Sequence, residues 1–464
     1  MNWKRCGFMV LLVCVAWPVQ ARRSASSGME AVAEALKEAA MGNHSAMSLL
    51  TDLCDTAGPR LAGSEGLERA IDWSVKQFTE TGFSNVRKDP VEVEVWVRGA
   101  ESATLVQPRA RQLHILGLGN SVGTGGQPLE ADVVVVSSFE ELEALGRSAV
   151  EGRIVLYNAV FTTYRDTVPY RVEGPSRAAK LGAVGVLVRS VSPPGLATPH
   201  TGVTRYTEDV PKIPAAAIVH EEANLLHRLY QAGKPVRVSL SMEAHFKPNA
   251  MSANVVADIP GREDGPEHVI LACHLDSWDV GEGAQDDGAG CVIVMEAARL
   301  IGELKTPPRR GIRVVLFTNE ENGLAGGKDY PVTHQDEVAH VVAALEADTG
   351  AGMPLGYRLD VRAGEEQADE ARHRFQKVLR LLEDLDASSV RMSGSGADIG
   401  PLAEAGVPGL GLHQDTSGYW PIHHTWADTL DKIDPDVLAK NVAVVAVTAY
   451  GLAEMPERLV DPTP

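Results

Sequence analysis

Apolar residues recur at helical spacing at Val32, Ala35 and Leu36, then at Met47, Leu50 and Leu53, so the stretch from Met29 to about Asn85 reads as mainly helical. Gly58-Pro59-Arg60-Leu61-Ala62-Gly63-Ser64 breaks it as a turn, and a second helix is predicted over 67–81. Alternation at Val91, Val93, Val95 and Val97 predicts a strand with one solvated face. Between about 123 and 247 the texture changes. Short apolar runs at 133–136, 154–157, 184–188 and 215–219 alternate with short helices and Pro/Gly turns, which predicts a small α/β domain inserted in the chain. Its linkers would be 119–128, rich in Gly, and 245–252.

Beyond Ser252 the rhythm becomes βαβ. Strands are predicted at 268–273, 312–317 and 338–344, a helix at 288–301 and a last helix at 435–452, the pattern of a mostly parallel, doubly wound α/β sheet with helices on both faces. In such sheets ligands bind beyond the carboxyl ends of the strands, so the residues just after each strand carry the most functional information.

The 464 residues predict two or three domains, and 43 Lys plus Arg against 62 Asp plus Glu give a formal charge of −19. That balance repels nucleic-acid phosphates and anionic membrane surfaces, which excludes nucleic acid as a partner. Lys4 and Arg5 precede an apolar run from Phe8 to Trp17, and Val19-Gln20-Ala21 has the small residues of a signal-peptidase site, so 1–21 reads as a cleavable signal peptide. The mature protein is expected to be secreted or periplasmic, without stable membrane insertion: the run is too short for a span, and no later stretch offers about 18 consecutive apolar residues. Cys54, Cys273 and Cys291 remain after cleavage, an odd number at irregular spacing that offers no disulfide framework, and are expected to be buried small hydrophobes.

After the three late strands come His274-Leu275-Asp276-Ser277, Asn319-Glu320-Glu321-Asn322-Gly323 and Glu346-Ala347-Asp348. Gly283-Ala284-Gln285-Asp286-Asp287 opens the intervening helix, and His423-His424-Thr425 with Asp428 lies near the carboxyl end. One His at a strand end is ordinarily a satisfied core or surface residue. Five convergent places with imidazole and carboxylate make the mixed N and O donor set that zinc accepts. In the pair Glu320-Glu321, neighbouring carboxylates repel unless a cation or solvent intervenes, and one can ligate metal while the other acts as a base.

These motifs, in this order and spacing, resemble those of the di-zinc exopeptidases that include bacterial leucyl aminopeptidases and glutamate carboxypeptidases. Gly58-Pro59-Arg60-Leu61, Gly394-Ser395-Gly396-Ala397-Asp398 and the insertion look most like the secreted carboxypeptidase Q branch. The resemblance implies the zinc-exopeptidase fold and two Zn2+ ions bridged by Asp286, with His274 and Asp348 completing one site and Glu321 and His424 the other. Glu320 would be the general base and Asp276 the carboxylate that orients the His274 ring. A water shared by the two cations would lose its proton near neutral pH, and Glu320 would pass that proton to the leaving amine. The implied domains are a catalytic peptidase domain in two parts, 22–122 and 248–464, and a protease-associated-like domain over 123–247, suggested by Gly152-Arg153-Ile154-Val155 and Gly182-Ala183-Val184-Gly185. The substrate would be a dipeptide or short peptide, and a homodimer is suggested.

Other motifs fail on inspection. His220-Glu221-Glu222-Ala223-Asn224 has Asn where the helical zinc motif needs its second His, and Gly117-Leu118-Gly119 with Gly123 misses the dinucleotide fingerprint by one position. Ser395 has Ser393, not Gly, two residues before it and so lacks a nucleophile elbow. Three rival readings remain: an aminopeptidase of the same family, a non-catalytic binding module on this fold, and a single-zinc cyclising transferase. Filled positions at every implied ligand and at the base disfavour the last two. Between the two exopeptidase readings, Arg or Lys at the cleft would capture a substrate carboxylate and acidic residues a free amine.

Overall fold

The computed structural model describes residues 17–461, so most of the predicted signal segment lies outside the described residues. Eight strands form the first sheet, in the spatial order Ser84–Val97, His245–Ile259, Gly311–Phe317, His268–His274, Val341–Glu346, Gly409–Gln414, Pro354–Asp360 and Ser389–Met392. The third to sixth run parallel. Antiparallel pairs join the Ser84–Val97 ribbon on one side and Pro354–Asp360 on the other.

Alternation explains why these runs sit at the centre. Along His268–His274, Val269, Leu271 and Cys273 enter the larger core with the helices Ser45–Ala57, Ala289–Gly302 and Pro435–Glu454. Ile270 and Ala272 face the opposite way, onto Tyr330 and Leu402 of the helices Ala325–Thr333 and Gly400–Glu404. Both faces are therefore covered, as a parallel sheet requires. Pro435–Glu454 is long and apolar enough to cross a bilayer, but 83% of its most apolar stretch is buried against this sheet and its helices.

The second sheet contains Leu129–Val136, Ile154–Tyr157, Gly185–Arg189 and Ala215–Ile218 in parallel, flanked by Arg237–Met242, Glu101–Gln107, Arg111–Leu113 and Ile115–Gly117. It thus takes strands from 101 onward, upstream of the change of texture near 123. The chain leaves the first sheet at Val97 and returns at His245, and these two residues are paired.

Two expectations are corrected. The segment 245–252 is not a linker but the first half of the strand His245–Ile259; its leading residues are exposed, Phe246 and Met251 included, and Pro248 and Asn249 interrupt any β-branched run there, so the sequence does not mark a strand. Cys273 and Cys291 are not separate thiols: they form a disulfide, with Cα atoms 5.2 Å apart, because the Ala289–Gly302 helix packs directly on the His268–His274 strand. Cys54 is free and buried, as expected.

Candidate metal centre

Strand geometry delivers the implied residues to one place. His274 is the last residue of its strand, Glu320 and Glu321 follow Phe317 by three and four positions, and Asp348 lies two past Glu346. Asp286 lies in the turn Ala284–Gly288, which Gly283 enters with φ 59°. The Asp286–Asp287 peptide is cis. Asp428 holds this turn by accepting from the amides of Gln285 (2.7 Å) and Asp286 (3.1 Å).

Asp286 is shared between two sets. Its Oδ1 lies 3.3 Å from His274 Nε2, which is also 3.3 Å from Asp348 Oδ1. Its Oδ2 lies 3.2 Å from His424 Nε2, which is 3.1 Å from Glu321 Oε2. That Oδ2 is buried and accepts no hydrogen bond among the described residues. The donor atoms of His274, Asp286 and Glu321, and those of His274, Asp287 and Asp348, fall within 4.8 Å of one another. An orphaned buried oxygen between imidazoles and carboxylates suits cations with mixed N and O ligation, zinc among them.

The surroundings aim these side chains. His274 Nδ1 faces the main-chain oxygen of Asp276 at 3.0 Å and its carboxylate only at 3.8 Å. The Asp276 carboxylate instead accepts from the amides of Glu320 (3.0 Å) and Glu321 (3.2 Å), so it braces the acidic pair. His424 adopts φ 62°, a left-handed backbone that is costly for a side-chain-bearing residue. Its Nδ1 lies 3.3 Å from the carbonyl oxygen of Thr201, in the segment carrying the second sheet, which leaves Nε2 free to face Asp286. His423 stacks on His424 with ring centroids 3.5 Å apart, and its Nε2 stands farther off, 3.6 Å from Asp286 Oδ2.

Burial raises Asp287 and Glu321 well above ordinary carboxylates and pushes Glu320 up to about 8; for Glu320, His274 opposes the rise while Asp348, Asp276 and Asp286 add to it. His274 goes the other way for a buried imidazole: burial disfavours its charge, but Asp286 and Asp348 hold it well above 6.5. So many buried acids around two imidazoles need added positive charge to be ionised at neutral pH.

Sequence reading missed several neighbours. Asp287 accepts from the amides of His274 (3.3 Å) and Gly290 (3.1 Å). Tyr164 stacks on Trp420 with centroids 4.7 Å apart and accepts from Arg171 at 2.8 Å. Arg60, the buried centre of Gly58-Pro59-Arg60-Leu61, donates to the carbonyls of Leu275 (2.8 Å), Glu282 (2.8 Å) and Gly283 (2.8 Å), tying the first strand end to the Asp286 turn. The decoys are structural: His220 Nε2 meets the Ser190 carbonyl at 2.9 Å, and Glu222 accepts from the His114 amide. A cleft of about 490 Å³ opens over the cluster, with Glu320 on its wall.

Carboxylates and imidazoles gathered at the carboxyl ends of a parallel sheet, under an open cleft, define a metallohydrolase-type centre. Residues 254–449 match the model of peptidase family M28. The chain is 40% identical to carboxypeptidase Q of Bos taurus over 407 residues, 88% of this chain and 85% of the relative, and 42% identical to that of Xenopus laevis over 405 residues, 87% and 85% respectively. A peptidase M28 precursor from Shewanella amazonensis superposes with a TM-score of 0.89 at 36% identity, over 95% of this chain and 99% of that one. The chain belongs to peptidase family M28 and is a metallo-exopeptidase of its carboxypeptidase Q branch.

Proposed function

We propose that the protein is a secreted zinc exopeptidase that hydrolyses dipeptides or short peptides; the name of its relatives, carboxypeptidase Q, supports the carboxypeptidase part of this reading. The observation that carries the proposal is the division of Asp286 between two donor sets, one oxygen toward His274 and Asp348, the other toward His424 and Glu321. Two zinc ions held there would acidify water and polarise the scissile carbonyl.

Within that arrangement the two adjacent glutamates take different roles. Glu321 Oε2 is engaged with His424, whereas the Glu320 carboxylate hydrogen-bonds to no described protein group and lines the cleft, free to accept a proton and return it to the leaving amine. Bound cations would bring its pKa down from about 8 toward the range of a working base. Asp276 orients His274 through its main-chain oxygen and the glutamate pair through its carboxylate. The domain division follows the two sheets: signal 1–21, a catalytic domain in two parts, and between them a protease-associated-like insertion that begins at Glu101 rather than at 123 and ends at Met242 rather than at 247, with a homodimer as the proposed assembly.

Metal analysis of the purified mature protein, paired with hydrolysis of free, amino-blocked and carboxyl-blocked dipeptides, tests the proposal. About two zinc ions per chain and chelator-sensitive cleavage are expected. Absence of zinc and of cleavage after zinc addition would overturn it in favour of a binding module.

A further inference from the structure

Three arginines line the cleft in a strongly acidic protein, and they are not equivalent. The fork of Arg171 is spent on the Thr201 carbonyl (3.1 Å) and the Tyr164 hydroxyl, and the Gly202 backbone presses against its guanidinium so closely that a Cβ there would stand 2.2 Å from Cζ. Arg205 is exposed, and its side chain makes no hydrogen bond to described residues. Arg358 differs from both. It extends from Pro354–Asp360, opposite Gly411, and the only hydrogen bond of its side chain to the described residues runs from Nη2 to the Ser395 carbonyl at 3.3 Å. Its Nε, like that of Arg171, is buried without a partner, but only one of its two terminal nitrogens is engaged, and no carboxylate of the described residues forms an ion pair with it.

A guanidinium held on one side, with unused donors at the wall of a peptidase cleft, is arranged for a planar anion from outside the protein. The wall beside it is made of Gly394, Gly396 and Ala397. Gly396 has no room for a side chain, because a Cβ would stand 2.3 Å from the Glu346 carboxyl carbon, but at Gly394 a Cβ would meet nothing within 4 Å. Open space beside an unpaired cation, in the same cleft as Asp348 and Glu320, is where the end of a short substrate would lie.

We infer that Arg358 binds the carboxyl-terminal carboxylate of the peptide and selects substrates with a free carboxyl terminus. This inference rests on the proposed peptidase reading and deepens it. It also explains how a cleft rich in Asp and Glu accepts an anionic substrate end.

The zinc-loaded enzyme is tested on a dipeptide and its carboxyl-terminal amide. The wild type should prefer the acid by about 30-fold in kcat/KM, the scale of one charge-assisted contact. Arg358→Gln should narrow that ratio toward one, chiefly by raising KM for the acid, with zinc content retained. Arg358→Lys should recover part of the preference, since the charge returns but not the fork. Gly394→Leu, at a site open to a side chain, should raise KM for the acid without touching Arg358. Equal use of acid and amide by the wild type, or an equal loss on both in Arg358→Gln, would overturn the inference while leaving the peptidase assignment standing. No chelator-sensitive cleavage of any dipeptide would instead sink the proposed function itself.

Discussion

At the scale of single residues, adjacency conceals a division of labour. Glu320 and Glu321 share a backbone brace, the Asp276 carboxylate, yet only Glu321 is turned onto His424. Glu320→Gln keeps size and loses the proton acceptor. Turnover is expected to fall by about 10²- to 10⁴-fold with zinc content unchanged. Glu321→Gln is expected to lose zinc as well as activity, and metal analysis of both variants decides: zinc loss in the Glu320 variant would show the roles are reversed. These positions were legible in the sequence because each stands where strand periodicity stops, and ligands gather at such ends. Arg358 was not legible, since nothing local separates an arginine that stays unpaired from one that finds a carboxylate.

Secondary-structure elements show the same boundary between local and tertiary information. The buried strand His268–His274 and the helix Pro435–Glu454 announce themselves through periodicity and apolar content. The exposed start of His245–Ile259 does not, and neither does the Cys273–Cys291 pairing, which depends on how a helix lies across a strand. Gly58-Pro59-Arg60-Leu61 was recognisable as a turn, but its use is in Arg60. This buried cation bonds to carbonyls rather than carboxylates and joins three segments that no short-range pattern relates. Arg60→Met leaves several buried carbonyls without donors, so a loss on the order of 3–5 kcal/mol in stability is expected. Chemical denaturation measures it, and Arg60→Lys should recover only part because one ammonium cannot span all of these oxygens.

Across the whole molecule, the two sheets meet at the centre. His200, in the segment carrying the second sheet, is buried, and its Nδ1 lies 2.7 Å from the main-chain oxygen of His423. Burial lowers its pKa to about 3, with the contact to His423 opposing that shift. The unfolded chain, with a His near 6.5, therefore binds more protons than the folded one between about pH 6.5 and 3. This contribution to stability is complete above pH 6.5 and is lost as pH falls, at up to about 1.4 kcal/mol per pH unit. The thermal midpoint of the wild type should drop more steeply over that interval than that of His200→Gln; parallel curves would show that His200 does not titrate on unfolding.

The Thr201 carbonyl also bears on how this chain can be divided. Every residue has a carbonyl, so a match of side chains would not reveal whether a transplanted insertion keeps the one that faces His424. A chimaera carrying the second sheet of another protein could preserve every side chain of the proposed metal centre and still lose the carbonyl that faces the His424 imidazole. The last histidine of the peptidase core thus takes a contact from a neighbour that the first sheet does not supply.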